Sequence, residues 1–293
     1  MQRSPERPPR RLLRRVVSFV VFIVAVLVAW EAFKLLAGDP IFVDREKVWD
    51  PPLKVWLATD VNLPHVWKIW SRTMAPLTSG ADESLGGYLI GQAVFTMRES
   101  LIGFAIGGVL GIALATLFVH FRLIERAFVP YVVASQTIPI IALAPLIMFF
   151  TGHNASSVII IATYLCFFPV TIAMLRGLRS PDPRALELMR SYAASRRSVL
   201  WKLRFPASLP YLFTALKITA TASIVGAIVG EGPGGMQEGL GRALMFFSQQ
   251  YAISPEKLWA SIFVTAGLGI LFYLAVVAAE QVVLRGRSQA AFG

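Results

Sequence analysis

One cysteine, three histidines and seventeen acids in 293 residues leave few side chains for catalysis or metal binding. A lone Cys166 excludes a disulfide framework and a thiolate metal site. His65, His120 and His153 are scattered without ligand spacing, so neither a metal nor any other cofactor is expected. No lysine follows a glycine, which excludes the phosphate-cradling loop G-x-x-x-x-G-K-[ST]. Within the apolar stretches there is no Ser-His pairing and no His/Asp/Glu cluster, which argues against a membrane-embedded enzyme. Charge itself is scarce: 15% of residues carry it, against about 25% in soluble domains.

What fills the space is apolar. Hydrophobic residues make up 56% of the chain and mean hydropathy is +0.62, the composition of an integral membrane protein. The net charge of +11 therefore reads as membrane orientation, and no nucleic acid partner is expected. The expected fold is all-α: a polytopic membrane protein of about six transmembrane helices, with membrane lipid as its surroundings.

Residues 1–15 hold six arginines and three prolines and read as a disordered basic tail. An apolar run over 16–37 follows, too long for a signal peptide and without a cleavage site, hence a first span. Residues 38–92 are the one long polar region, with seven acids, five Lys/Arg and Trp49, Trp56, Trp67 and Trp70. Such alternation fits a segment lying along the outer interface; a small folded extracellular cap and a ligand-stacking site are the alternatives. The core, 93–284, supplies five more spans. In the first of these, the chain's second span, Gly103, Gly107 and Gly111 recur at steps of four and predict close helix packing. The third, about 127–150, carries Pro130, Pro139 and Pro145 around a polar trio, Ser135, Gln136 and Thr137, and should be kinked or locally open. That trio either lines a pathway or bonds neighbouring helices. A fourth span covers about 156–175. In the fifth, about 211–230, Thr221 and Ser223 join the candidate path, and Lys217 is placed to snorkel. Glu231 either gates the outer mouth or bonds the Gly-rich loop after it. The sixth span, about 258–284, ends in a short tail, 285–293. Lys and Arg number eighteen on the side of the termini and seven on the other, which places both termini in the cytoplasm.

Between the fourth and fifth spans lies a cytoplasmic loop, 176–210, whose centre reads RALELMRSYAASRRSVLWKLRFPASLP. Its apolar residues recur at three and four with a break at Ala194-Ser195. This predicts two short amphipathic helices ended by Pro206 and Pro210, either gripped by a partner or resting on lipid headgroups.

This stretch resembles the EAA loop of permease subunits of ATP-binding-cassette (ABC) importers. Glu187 falls on the motif's Glu, Ala193 on its Gly and Phe205-Pro206 on its closing pair. Leu188 and Met189 replace two alanines, and alanine in place of glycine predicts a more helical corner. Flanking runs 138–146, 167–169 and 226–231, with Gly239-Leu240-Gly241, resemble the nitrate/sulfonate/taurine branch. Residues 188–191 with 226–231 look like permeases for thiamine-precursor pyrimidines or riboflavin. The resemblance implies a dimer of permease subunits in the cytoplasmic membrane, served by an extracytoplasmic solute-binding protein and cytoplasmic ABC ATPase subunits. It implies no ATPase activity of the chain itself. It also assigns Glu187, Ala193, Ala194, Ser195, Arg196, Leu200 and Pro206 to ATPase coupling, with Leu186, Met189 and Leu200 filling the partner's groove. An ATP-independent secondary transporter is the rival class, but neither inverted repeats nor paired intramembrane charges are evident in the sequence.

Overall fold

The computed structural model describes residues 8–43, 46–232 and 236–284. In chain order the elements are α1 (Pro8–Ala37), β1 (Ile41–Val43), β2 (Glu46–Trp49), α2 (Val66–Met74), α3 (Leu85–His120), α4 (Arg122–Ser135), α5 (Ile140–Thr151), α6 (Ala155–Leu178), α7 (Pro183–Ser191), α8 (Arg196–Val199), α9 (Phe205–Glu231), α10 (Leu240–Gln249) and α11 (Pro255–Leu284). The β1–β2 ribbon is antiparallel. Among the described residues, α3, α6, the run Arg196–Glu231 and α11 are long and apolar enough to cross a membrane. The bent pair α4–α5 makes a fifth if counted as one span.

Two expectations change, and a third takes a definite form. Residues 8–15 are helical rather than a disordered tail: prolines suit a first helical turn, where their missing N–H is not needed, and Arg and Leu favour helix. Residues 1–7 and 285–293 of the two tails, and 233–235 of the Gly-rich loop, lie outside the described residues. The third span is broken, with α4 and α5 meeting at 101°. Pro139 sits as N-cap of α5 with extended backbone, and a residue before proline is disfavoured in helix, so the span is locally open at 136–139. Pro206 and Pro210 end nothing. A π turn at Leu200–Arg204 joins α8 to α9, and the Phe205 N–H reaches back to the Leu200 carbonyl. Widening the helix there absorbs the proline beside it.

The chain forms two compact units, one from residues up to Gly86 with Phe247–Ala260, the other from Gly87–Phe246 with Ser261 onward. In the first, residues 48–57 add themselves to the end of α1. The Leu53 and Val55 N–H groups donate to the Leu36 and Ala37 carbonyls, each at 3.1 Å, using acceptors that a helix end leaves free. Lys34, fully buried, meets Asp60 at 2.6 Å and donates to the Ala58 carbonyl at 2.7 Å. Asp60 also holds Lys68 at 2.5 Å. Glu31 accepts from the Val66 N–H at 2.5 Å and pairs with His65 Nδ1 at 2.8 Å. Trp30 donates to the Pro64 carbonyl and meets Trp259 edge-on at 4.7 Å. Residues 38–86 thus make a folded module tied to α1 by buried charge.

The second unit is built around α6. A Cβ on Gly103 would lie 2.5 Å from the Ala162 Cβ, one on Gly107 2.6 Å from the Cys166 Cβ, and one on Gly111 2.8 Å from the Val170 Cβ. At Gly226 a Cβ would lie 2.9 Å from the Ala162 Cα. Helices α3 and α9 therefore both approach α6 to near backbone contact, which only small residues permit. One end of this stack is filled by Phe118, Met174, Leu178, Leu200, Leu209 and Leu212.

Candidate coupling site

Asp182 opens α7 by accepting from the Arg184 N–H at 2.8 Å, with Pro183 as first helical residue. The helix closes with a paired C-terminal motif: the Ala193 N–H bonds the Arg190 carbonyl and the Ala194 N–H the Met189 carbonyl, each at 2.9 Å. This motif places its C′ residue in the left-handed region, and Ala193 has φ +49°, alone among the described non-glycine residues. The expectation of a more helical corner is therefore overturned. The two capping bonds hold alanine in the conformation that glycine adopts freely, at a local cost of about 1–2 kcal/mol. Ser195 then starts α8 by accepting from the Ser198 N–H at 3.2 Å.

The corner presents Leu188, Tyr192 and Trp201, all exposed, amid exposed Arg184, Arg190, Arg196, Arg197 and Lys202. Ser195, Arg197, Ser198, Trp201 and Lys202 line a shallow hollow of about 370 Å³. Glu187 is exposed and forms no ion pair among the described residues. Leu186 and Met189 are half-buried. Leu200, expected on the outer surface, turns inward onto Phe118 and Leu178, because the π turn rotates it toward the core. Trp201 takes the outward place, its ring 5.1 Å from Phe205. Pro206 is half-buried at the start of α9. At the base of the corner, Arg179 pairs with Glu125. Helix α8, the π turn and α9 form one continuous helical run leading away from the corner.

The expected path residues separate. Ser135 donates to the Val132 carbonyl and Thr137 to the Ala134 carbonyl, while the Ser135 carbonyl accepts from Tyr164. Local bonds thus satisfy the break, and Gln136 and Thr137 stay exposed. Thr221 is exposed. Ser223 is buried and donates to the Ala220 carbonyl of its own helix, so it faces the helix stack instead of a passage. Lys217 does not snorkel: it bonds both Glu280 oxygens, at 3.0 and 2.9 Å, an inter-helix pair the sequence reading did not anticipate.

Glu231, fully buried, bonds the segment that follows it. Its Oε2 accepts from the Thr96 hydroxyl at 3.0 Å and the Gly241 N–H at 2.8 Å. Thr96 also accepts from the Leu240 N–H at 2.9 Å, and Gln92 from the Gly239 N–H at 2.5 Å. Gly239 has φ +105°, and a side chain there would collide with the Glu231 carboxylate. Gln92, Thr96, Glu99 and Ser100 share one stripe of α3, a spacing readable as helical and overlooked.

The sequence signature described as "Binding-protein-dependent transport system inner membrane component" matches residues 107–285. The formylaminopyrimidine transport permease protein ThiX of Halalkalibacterium halodurans is 36% identical, over 66% of this chain and 76% of that protein. The riboflavin transport system permease protein RibX of Chloroflexus aurantiacus is 28% identical, over 72% and 69%. The fold is similar to an inward-facing form of the MetNI methionine ABC transporter, with a TM-score of 0.55, 19% identity and coverage of 68% of this chain and 95% of that one. This chain belongs to the binding-protein-dependent transport system inner membrane components: it is a multi-pass permease subunit of an ABC importer, and ATP hydrolysis lies in a separate subunit.

Proposed function

We propose that two copies of this chain enclose a path for a small heteroaromatic solute and are driven through the α7–α8 corner by ABC ATPase subunits in the cytoplasm. The observation that carries the coupling half is the exposed aromatic and basic corner, continuous with a membrane-crossing helix. The surface matches a groove that takes an apolar helix face ringed by acids. In this reading Leu188, Tyr192 and Trp201 enter the groove with Leu186 and Met189 beside them, while Glu187 and Arg196 orient the pair. Ala193, Ala194 and Ser195 shape the corner, and Leu200 and Pro206 transmit its motion inward. ATP-bound ATPases favour one permease conformation through differential contact with this corner.

Six spans, with α1 and the broken α4–α5 pair included, put both termini in the cytoplasm, as the Lys/Arg asymmetry requires. An extracytoplasmic binding protein delivers the solute. The similarity to permeases for formylaminopyrimidine and riboflavin supports a pyrimidine or flavin-like vitamin precursor. Gln136, Thr137 and Thr221, exposed and uncharged, suit such a neutral ring system better than an oxyanion.

Glu187→Lys tests the coupling half. The variant inserts into the membrane at the normal level, and both solute uptake and retention of the ATPase during purification drop severalfold. Normal uptake by a well-expressed Glu187→Lys protein contradicts the role of the corner.

A further inference from the structure

The face formed by the last turn of α1 and residues 48–57 takes no part in the coupling site. The apolar run from Val16 to Leu36 makes about 30 Å of helix, the thickness of a bilayer's hydrocarbon core. Its two charged side chains, Glu31 and Lys34, are bonded to His65 and Asp60 of the attached module and so do not face the surroundings bare. Where this run ends, exposed apolar side chains continue onto residues 48–57, with Lys47, Asp50 and Lys54 exposed among them. Residues 48–57 bond directly to the carbonyls of Leu36 and Ala37, and the Trp49 Nε1–H donates to that of Leu35 at 2.8 Å. The joined face carries Leu36, Val48, Trp49, Leu53, Trp56 and Leu57, every one exposed, with Trp56 at 78%. Beside it a mostly apolar groove of about 380 Å³ runs down α1, lined by Val24, Leu27, Val28, Leu35 and Val66 together with Ala32 and Glu31, whose carboxylate is bonded to His65 and the Val66 N–H.

From this continuity we infer that the Trp49/Trp56 face is a phospholipid-binding surface. The indole rings lie at the headgroup level of the outer leaflet, and an acyl chain occupies the α1 groove. The depth follows from geometry: a helix that fills the hydrocarbon core with Val16–Leu36 sets the next residues at the boundary. Indole fits that boundary, having a large apolar body and one N–H that needs a polar partner. Lys54, exposed in the same 48–57 stretch, stands where an ammonium meets phosphate. The inference rests on α1 crossing the bilayer, as proposed above.

The test uses the full chain in phosphatidylcholine/phosphatidylglycerol nanodiscs, with Cys166→Ala as background. A nitroxide is placed at Trp56→Cys, at Val24→Cys within the span and at Ser79→Cys on the exposed turn between Pro76 and Ser84. Power saturation then compares collisions with oxygen, which concentrates in lipid, and with a water-soluble nickel chelate. The expected result is oxygen favoured severalfold at positions 24 and 56 and nickel favoured at 79. Oxygen at 24 with nickel at 56 overturns the inference and leaves the span standing. Nickel at 24 removes the span and the inference together. Oxygen favoured at all three overturns the depth assignment. Shielding of position 56 only after a soluble binding protein is added shows that a protein, not lipid, covers the face.

Discussion

The 38–86 module and the α3–α6–α9 core hold themselves together by opposite means. The module depends on charge: a fully buried lysine, an aspartate shared between two ammonium groups, and a glutamate bonded to a histidine and a backbone N–H. The core depends on the absence of side chains, with glycines at 103, 107, 111 and 226 letting α3 and α9 approach α6 closely. The contrast follows from solvent. Beside water a short irregular segment cannot bury enough apolar surface, so directional bonds fix it. Within lipid, apolar contact gains little over lipid tails, and close backbone approach is what favours association. The module is therefore vulnerable to losing one charge, and the core to gaining one methyl.

The sharpest way to break the comparison is Asp60→Asn. Removing this carboxylate leaves Lys34 buried without its counter-charge, which costs about 3 kcal/mol, the low end for such pairs because Asp60 is partly exposed. Hydrogen exchange at the Leu53 and Val55 amides should accelerate on the order of a hundredfold, while amides of α6 keep their protection. Acid acts through the same group. Partial burial raises the Asp60 pKa, but Lys34 and Lys68 outweigh it and hold it below the ordinary carboxylate value. A lowered folded pKa gives stability that is present above the unfolded value, about 4, and is lost as pH falls through the folded one. The module should thus hold from neutral pH down to about 5 and loosen below about 4, again first at residues 53 and 55. Loosening between pH 5 and 7 would point to a group other than Asp60.

Next in size is Gly107→Ala. Its methyl would meet the Cys166 Cβ at 2.6 Å and the Thr163 carbonyl at 2.9 Å, and backbone cannot yield cheaply. The expected loss is about 2 kcal/mol, seen as a lower melting temperature of the detergent-solubilised core with exchange at residues 53 and 55 unchanged. Smallest is Ala193→Gly. Relief of the left-handed alanine gains about 1–2 kcal/mol and the freer unfolded chain takes back about 0.4–1. A net gain of between about 0 and about 1.6 kcal/mol should slow exchange at the Ala194 amide. Ala193→Val should do the reverse.

Much of this organisation was legible in the sequence because lipid imposes simple rules. Apolar runs of sufficient length and the four-residue glycine spacing marked α3, α6, α9 and α11. What escaped depended on partners distant in sequence. The pairing of Lys217 with Glu280 and the bond from Thr96 to Glu231 join separate helices and went unforeseen, whereas the bond from Gly241 is the one expected between Glu231 and the Gly-rich loop after it. The prolines were legible only in part: the helix opens before Pro139, within the kinked or locally open reading, whereas Pro206 continues a helix that was expected to stop, because a π turn precedes it. At Ala193 residue preference pointed to helix, and two capping bonds overrode it.

The account turns on the corner being driven by a motor in another chain, and solute uptake into proteoliposomes tests this most directly. Vesicles holding the permease with its ATPase, supplied with binding protein and ATP, should accumulate solute, and vesicles holding the permease alone should not. Accumulation by the permease alone, with no ATPase present, would contradict it.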